Sequence, residues 1–165
     1  MKRNYLTHPT RPIELRAGMT CDKVLEGLEG CSFQARSLAL AARIWAEALD
    51  DDIIVMLGLA GAMVPAGMRK VLVTLIEHRF IDVIASTGAN LYHDFYETIG
   101  SFHYLGSPNA DDAMLREHMV DRIYDTFADE NGFQSLDKKI GSWATRTLEE
   151  RPYTTREFLH LLGKE

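Results

Sequence analysis

The chain has 165 residues, 46% apolar and 25% charged, a balance that suits one soluble globular domain with a sizeable core. Its net charge of −6 and pI near 5.5 argue against a broad nucleic-acid or anionic-membrane surface, which needs a basic face. No apolar run reaches the roughly 18 residues of a membrane span.

The basic start, Met1 to Pro9, has no apolar signal-peptide core. Cys21 and Cys31 lack CxxC spacing and read as reduced thiols, buried or neutral, of a cytoplasmic protein. Residues 1–17 read as an irregular arm. Pro9 and Pro12 block regular pairing, and Arg3, Arg11 and Arg16 make the arm locally positive. It either drapes over the surface or packs across a neighbouring subunit.

Thr20-Cys21-Asp22 can cap a short helix, Lys23 to Leu28, that Gly30 breaks. A longer helix opens at Ser32–Arg36 and runs to about Leu49, with Ala35, Leu38, Ala42, Trp45 and Leu49 at helical spacing. Asp50-Asp51-Asp52 ends it; no EF-hand glycine or terminal glutamate follows, so the run reads as a solvated turn. Ile53–Leu57 is a β-branched and apolar run, the pattern of a strand buried on both faces of a parallel sheet. The small-residue turn Gly58–Gly67 leads into a helix from about Pro65 to His78, with Met68, Val71, Leu72, Leu75 and Ile76 inward. A second strand, Ile81–Ala85, completes a βαβ unit. It feeds the turn Ser86-Thr87-Gly88-Ala89-Asn90 and a helix from Leu91 to Ile99.

Residues 100–109 read as loop or edge strand. Asp111-Asp112 caps a helix expected to reach Phe127, with Leu115, Met119, Ile123 and Phe127 inward and Arg116, Glu117 and Asp121 outward. On that helix Arg122 and Asp125 would form a same-face pair. Phe133–Leu148 is a further helix, and Pro152–Thr155 caps a last one from Arg156 to Leu162. The fold class is α/β, with only two clear strands. A two-stranded sheet makes no stable core alone, so the sheet is expected to be incomplete in this chain.

Both small-residue turns fall at the carboxyl ends of parallel strands, the edge where α/β sheets bind ligands. Neither is a GxGxxG fingerprint, and neither carries the lysine of a phosphate-binding loop. Each alone reads as a tight connection; together the two turns are the best candidates for a nucleotide or cofactor cleft. His93 lies one turn into the following helix, where the dipole disfavours its charged form. It could accept a hydrogen bond from a substrate amine, pass a proton, or simply pack. His103 is a second candidate. No HExxH-type spacing suggests a metal, and no serine or cysteine nucleophile has an evident base.

Four stretches carry a family resemblance: Gly30–Arg36, Leu59–Arg69, Ser86–Asp94 and Asp121–Asp125, with the closing Leu162–Glu165 in register. In these the chain resembles the N-terminal half of deoxyhypusine synthase and its bacterial deoxyhypusine-synthase-like relatives. The resemblance implies a Rossmann-like parallel sheet with flanking helices, the N-terminal part of a single NAD-binding domain over residues 18–165. It implies NAD-dependent transfer of the 4-aminobutyl group of spermidine to a protein lysine or a second polyamine, in a homotetramer. By position, Gly61 and Ala62 would contact NAD after the first strand, and Thr87, Gly88 and Ala89 after the second. His93 stands where the eukaryotic form has a polyamine-contacting carboxylate, and Ala62 where it has asparagine; both favour the bacterial-like branch. The family's catalytic lysine lies beyond the matching stretches, and Lys164 falls within them. The chain is therefore expected to form no covalent imine alone and to work with a complementary C-terminal half or family partner. The alternative is a non-catalytic regulatory or scaffold subunit that binds a catalytic partner.

Overall fold

Capping chemistry sets the helix boundaries. In this computed structural model, which describes residues 5–165, Thr20 Oγ1 accepts the Lys23 N–H at 3.3 Å and starts α1, Cys21–Leu28. α2, Phe33–Asp50, follows Ser32 and stops at the carboxylate run. Residues 5–20 hold no helix or strand. They are tethered to α1 all the same. The Arg11 N–H donates to the Gly30 carbonyl at 2.7 Å, and a Cβ on Gly27 would meet Ile13 at 2.9 Å. Arg3, counted above in the arm's charge, lies outside the described residues.

β1, Met56–Leu59, and β2, Val83–Ser86, pair in parallel. The Val55 carbonyl accepts the Asp82 and Val83 N–H groups at 2.9 and 3.2 Å, and the Leu59 carbonyl accepts the Thr87 N–H at 3.1 Å. The Asp82 carboxylate takes the Val55 N–H at 2.8 Å. The expectation of a strand over Ile53–Leu57 buried on both faces is corrected. β1 begins at Met56, and Ile54 is 72% exposed. The apolar run does mark extended chain, but two strands alone cannot cover both faces of either. Likewise Met68, Val71 and Ile76, expected inward, are exposed.

The chain divides into two compact units. The first holds the residues up to Gly58 together with Val73–Ala85. In it α1 packs on α2, and Trp45 Nε1–H donates to the Phe80 carbonyl at 3.4 Å. The second unit holds Leu59–Leu72 and Ser86–Glu165. It opens with a wide helical turn, Val64–Met68, in which Gly67 is left-handed at φ 85°, and this leads into α3, Arg69–Glu77. α4, Gly88–Thr98, starts three residues earlier than the pattern suggested, so Gly88 and Ala89 form its first turn.

The region after α4 departs most from expectation. Asp111 Oδ1 caps α5 by accepting the Ala113 and Met114 N–H groups, but α5 spans only Asp112–Glu117. Met119 then adopts φ 57°, and the chain folds into a hairpin of β4, Val120–Ile123, and β5, Thr126–Asp129. Ile123 pairs with Thr126 across a two-residue loop, Tyr124-Asp125, whose first residue is left-handed at φ 57°. β3, Tyr104–Leu105, adds to the other edge of β5. The apolar spacing at 115, 119, 123 and 127 mimics a helix, but Val120 to Phe127 is rich in β-branched and aromatic residues that suit a hairpin. Arg122 therefore pairs with Asp112, through Nε at 2.6 Å and Nη2 at 2.8 Å, instead of with Asp125.

α6, Glu130–Thr147, is capped by Asp129, and α7, Thr155–Leu162, by a reciprocal Thr154–Glu157 capping box. The core of the second unit is Tyr96, Ala128 and Leu136, with Tyr92, Phe95, Ile99, Phe133 and Ile140 packed around it. Complete burial of Leu136, 0% exposed, contributes about 1.5–3 kcal/mol.

Candidate functional site

The two small-residue turns meet in the second unit, and a single side chain joins them. Asn90, 1% exposed, sits in the first turn of α4. Its Oδ1 accepts the Val64 N–H at 3.3 Å, and its Nδ2 donates to the Leu59 carbonyl and to Thr87 Oγ1, each at 3.4 Å. A buried amide left without partners would be costly, so these bonds clamp the loop after β1 to the start of α4. Asn90 was legible only as a small polar turn residue; its role as a clamp needs contacts 26 and 31 residues distant in sequence.

Around this clamp the expected cofactor residues form an open rim. Gly61 is left-handed at φ 72°, and a Cβ added there or at Gly88 would meet nothing within 4 Å. Thr87, Gly88 and Ala89 are exposed, and Ala62 is half-buried. Thr87 is the N-cap of α4 but makes no capping side-chain hydrogen bond. The first N–H groups of an α-helix have no intrahelical acceptor, and the dipole there favours negative charge. Small side chains beside an uncapped helix start suit a pyrophosphate or a flat ring lying against backbone. The rim is a surface, whereas clefts of about 490 and 510 Å³ lie elsewhere, one beside the hairpin and one between α4 and α6.

His93 lies four residues beyond Ala89, on the same face of α4. Its Nδ1 is 2.9 Å from His103 Nε2, and His103 Nδ1 is 2.7 Å from Glu97 Oε1. The structure thus brings the two candidate histidines together and adds a carboxylate. Burial lowers the His93 pKa below its usual value, with help from neighbouring His103 and against the pull of Glu97. The direction matches the sequence-based expectation of a neutral imidazole, but burial is the main cause. Glu97 could have been found as the residue one turn beyond His93; the approach of His103 could not, because it depends on the loop after α4.

Arg69 fixes the same helix from the side. Its Nε donates to Asp94 Oδ1, its Nη2 reaches Thr98 Oγ1 at 2.7 Å, and Glu97 Oε2 lies 3.8 Å away. On the opposite flank Tyr92 Oη donates to Asp137 Oδ1 at 2.6 Å, and burial together with that carboxylate raises the phenol's pKa. Cys21 and Cys31 are free thiols, Cys21 exposed. Among the described residues no three His, Cys, Asp or Glu side chains gather to hold a metal ion. No helix among them is long and apolar enough to cross a membrane.

Comparison with known proteins agrees with the motifs clamped here. The family model for deoxyhypusine synthase matches residues 23–165. A probable deoxyhypusine synthase 2 of Methanosarcina mazei is 45% identical over 167 residues, covering 100% of this chain and 48% of the relative. A protein of the same name from Archaeoglobus fulgidus is 50% identical over 106 residues, 64% of this chain and 36% of its own length. A deoxyhypusine synthase-like protein of Coxiella burnetii is 39% identical over 142 residues, 85% of this chain and 40% of the relative. The chain therefore spans about half the length, or less, of these curated relatives. With its family model covering nearly all of the sequence, the chain belongs to the deoxyhypusine synthase family.

Proposed function

We propose that this chain provides the NAD-holding face of an enzyme that transfers the 4-aminobutyl group of spermidine to an acceptor amine, a protein lysine or another polyamine. The observation that carries the proposal is the Asn90 clamp, which aligns two small-residue turns beside an uncapped helix start. Thr87, Gly88 and Ala89 would hold the cofactor at the start of α4, with Gly61 and Ala62 on the facing turn, on a Rossmann-like sheet edge. When bound, NAD supplies the acceptance and return of hydride. His93 meets the amine substrate. The lysine that carries the aminobutyl group comes from outside these 165 residues, from further chain or a partner subunit in a tetramer-like assembly.

The test is calorimetry of the 165-residue chain with NAD, with and without spermidine. The expected result is NAD binding that Gly88→Val weakens about tenfold or more, since two methyl groups would enter the space beside the helix start. NAD binding unchanged by Gly88→Val, or no binding at all, refutes the assignment.

A further inference from the structure

The Glu97–His103–His93 chain has a direction. Glu97 offers oxygens only, so the 2.7 Å bond to His103 Nδ1 places the proton on that nitrogen. In the uncharged state of the pair His103 has a bare Nε2, and the 2.9 Å contact with His93 Nδ1 then has His93 as the donor. His93 is left with its own Nε2 bare. Among the described residues that nitrogen makes no hydrogen bond, and no buried side-chain nitrogen or oxygen lacks a partner, so Nε2 reaches the surface. Ala89, on the open rim, lies one turn earlier on the same face of α4.

The surroundings hold this order. Burial keeps His103 at 6% side-chain exposure, with the Tyr96 ring 5.3 Å away. Phe133 packs edge-on against the His93 ring at 5.4 Å. The charged groups nearby are Glu97, Arg69 and Asp94, and the second Glu97 oxygen lies 3.8 Å from the Arg69 guanidinium.

We propose that His93 Nε2 is the base that takes a proton from the ammonium group of an amine substrate, with His103 and Glu97 as positioning residues that hold its Nδ1–H and draw the charge inward. The proposal rests on the amine-transfer reading above. The step balances: an ammonium N–H breaks and a bond to His93 Nε2 forms. The Nδ1 proton of His93 passes to His103 Nε2, and the resulting imidazolium sits against the Glu97 carboxylate. The substrate is left as a free amine, the form that can lose hydride or attack an imine carbon. An alkylamine with an ordinary pKa near 10.4 is almost entirely protonated at neutral pH, so such a step needs an acceptor.

The test is nitrogen-15 NMR of the histidine side chains in the 165-residue chain, which needs no cofactor. The expected spectrum shows His93 protonated at Nδ1, the less common tautomer, and spermidine shifts its Nε2 resonance. Glu97→Gln turns the chain around. The glutamine oxygen faces Arg69, its amide donates to His103 Nδ1, and His93 becomes protonated at Nε2 and loses the spermidine response. A His93 already protonated at Nε2, a tautomer indifferent to Glu97→Gln, or an Nε2 resonance unmoved by spermidine overturns the proposal. If the variant does not fold, the tautomer of the unaltered chain decides. Absent NAD binding with an Nδ1-protonated, spermidine-responsive His93 strikes the cofactor assignment and upholds the relay; intact NAD binding with Nε2-protonated His93 strikes the relay alone.

Discussion

Replacing Asn90 by alanine tests whether one buried amide sets the geometry of the candidate site. The Asn90 side chain is 1% exposed and satisfies the Val64 N–H, a lone pair of the Leu59 carbonyl, and Thr87 Oγ1. Leu59 keeps the Thr87 N–H as a donor at 3.1 Å, so its loss is partial. The Val64 N–H loses this acceptor in a buried setting, at about 1–3 kcal/mol. The space left by the amide adds a smaller term, giving about 2–4 kcal/mol in all. For a chain of this size that lowers the melting temperature by about 4–16 °C. The assay is thermal unfolding followed by circular dichroism, paired with NAD calorimetry on the same sample. Asn90→Asp should also destabilise, because its carboxylate would face the Leu59 carbonyl. An alanine variant melting within about 2 °C of the parent would refute the clamp.

Two further predictions concern the core and the hairpin. A Cβ at Gly132 would lie 2.7 Å from Tyr96 Cε2, and Tyr96 is the fully buried centre of the core. Gly132→Ala should therefore destabilise by about 1–2 kcal/mol despite alanine's better helix propensity, as read by urea unfolding; a stabilised variant would show that the ring yields. Burial, a hydrogen bond to Glu130 and the charges of Glu130 and Asp129 push the Asp121 carboxyl up to about 6 from 3.8. A raised acid pKa means the folded state binds the proton more tightly, so this contribution is full below pH 3.8 and is lost as pH rises through about 6. Asp121→Asn should flatten the stability profile between those values and gain about 1 kcal/mol at pH 8 after allowance for solvent screening. An unchanged pH profile would refute that coupling.

Local signals in the sequence determined much of this protein. Thr20, Asp111 and the Thr154–Glu157 pair announce helix starts because a capping oxygen needs only N–H groups two or three residues away. The two strand-to-helix turns were legible for the same reason, since small residues at a strand end leave their own backbone free to turn. The motifs in those turns also carried the family. The hairpin over 120–129 was not legible, because its apolar positions fit a helical spacing and its tight turns use Met119 and Tyr124 at positive φ where glycine would have been the signal. Strand burial was misjudged because it depends on neighbours, and Ile53, Ile54 and Met56 stand open. Only tertiary structure brought Asn90 to Val64 and His103 to His93. A buried amide and a histidine tautomer are both settled by hydrogen-bond partners, and those partners arrive through loop closure that no spacing rule encodes.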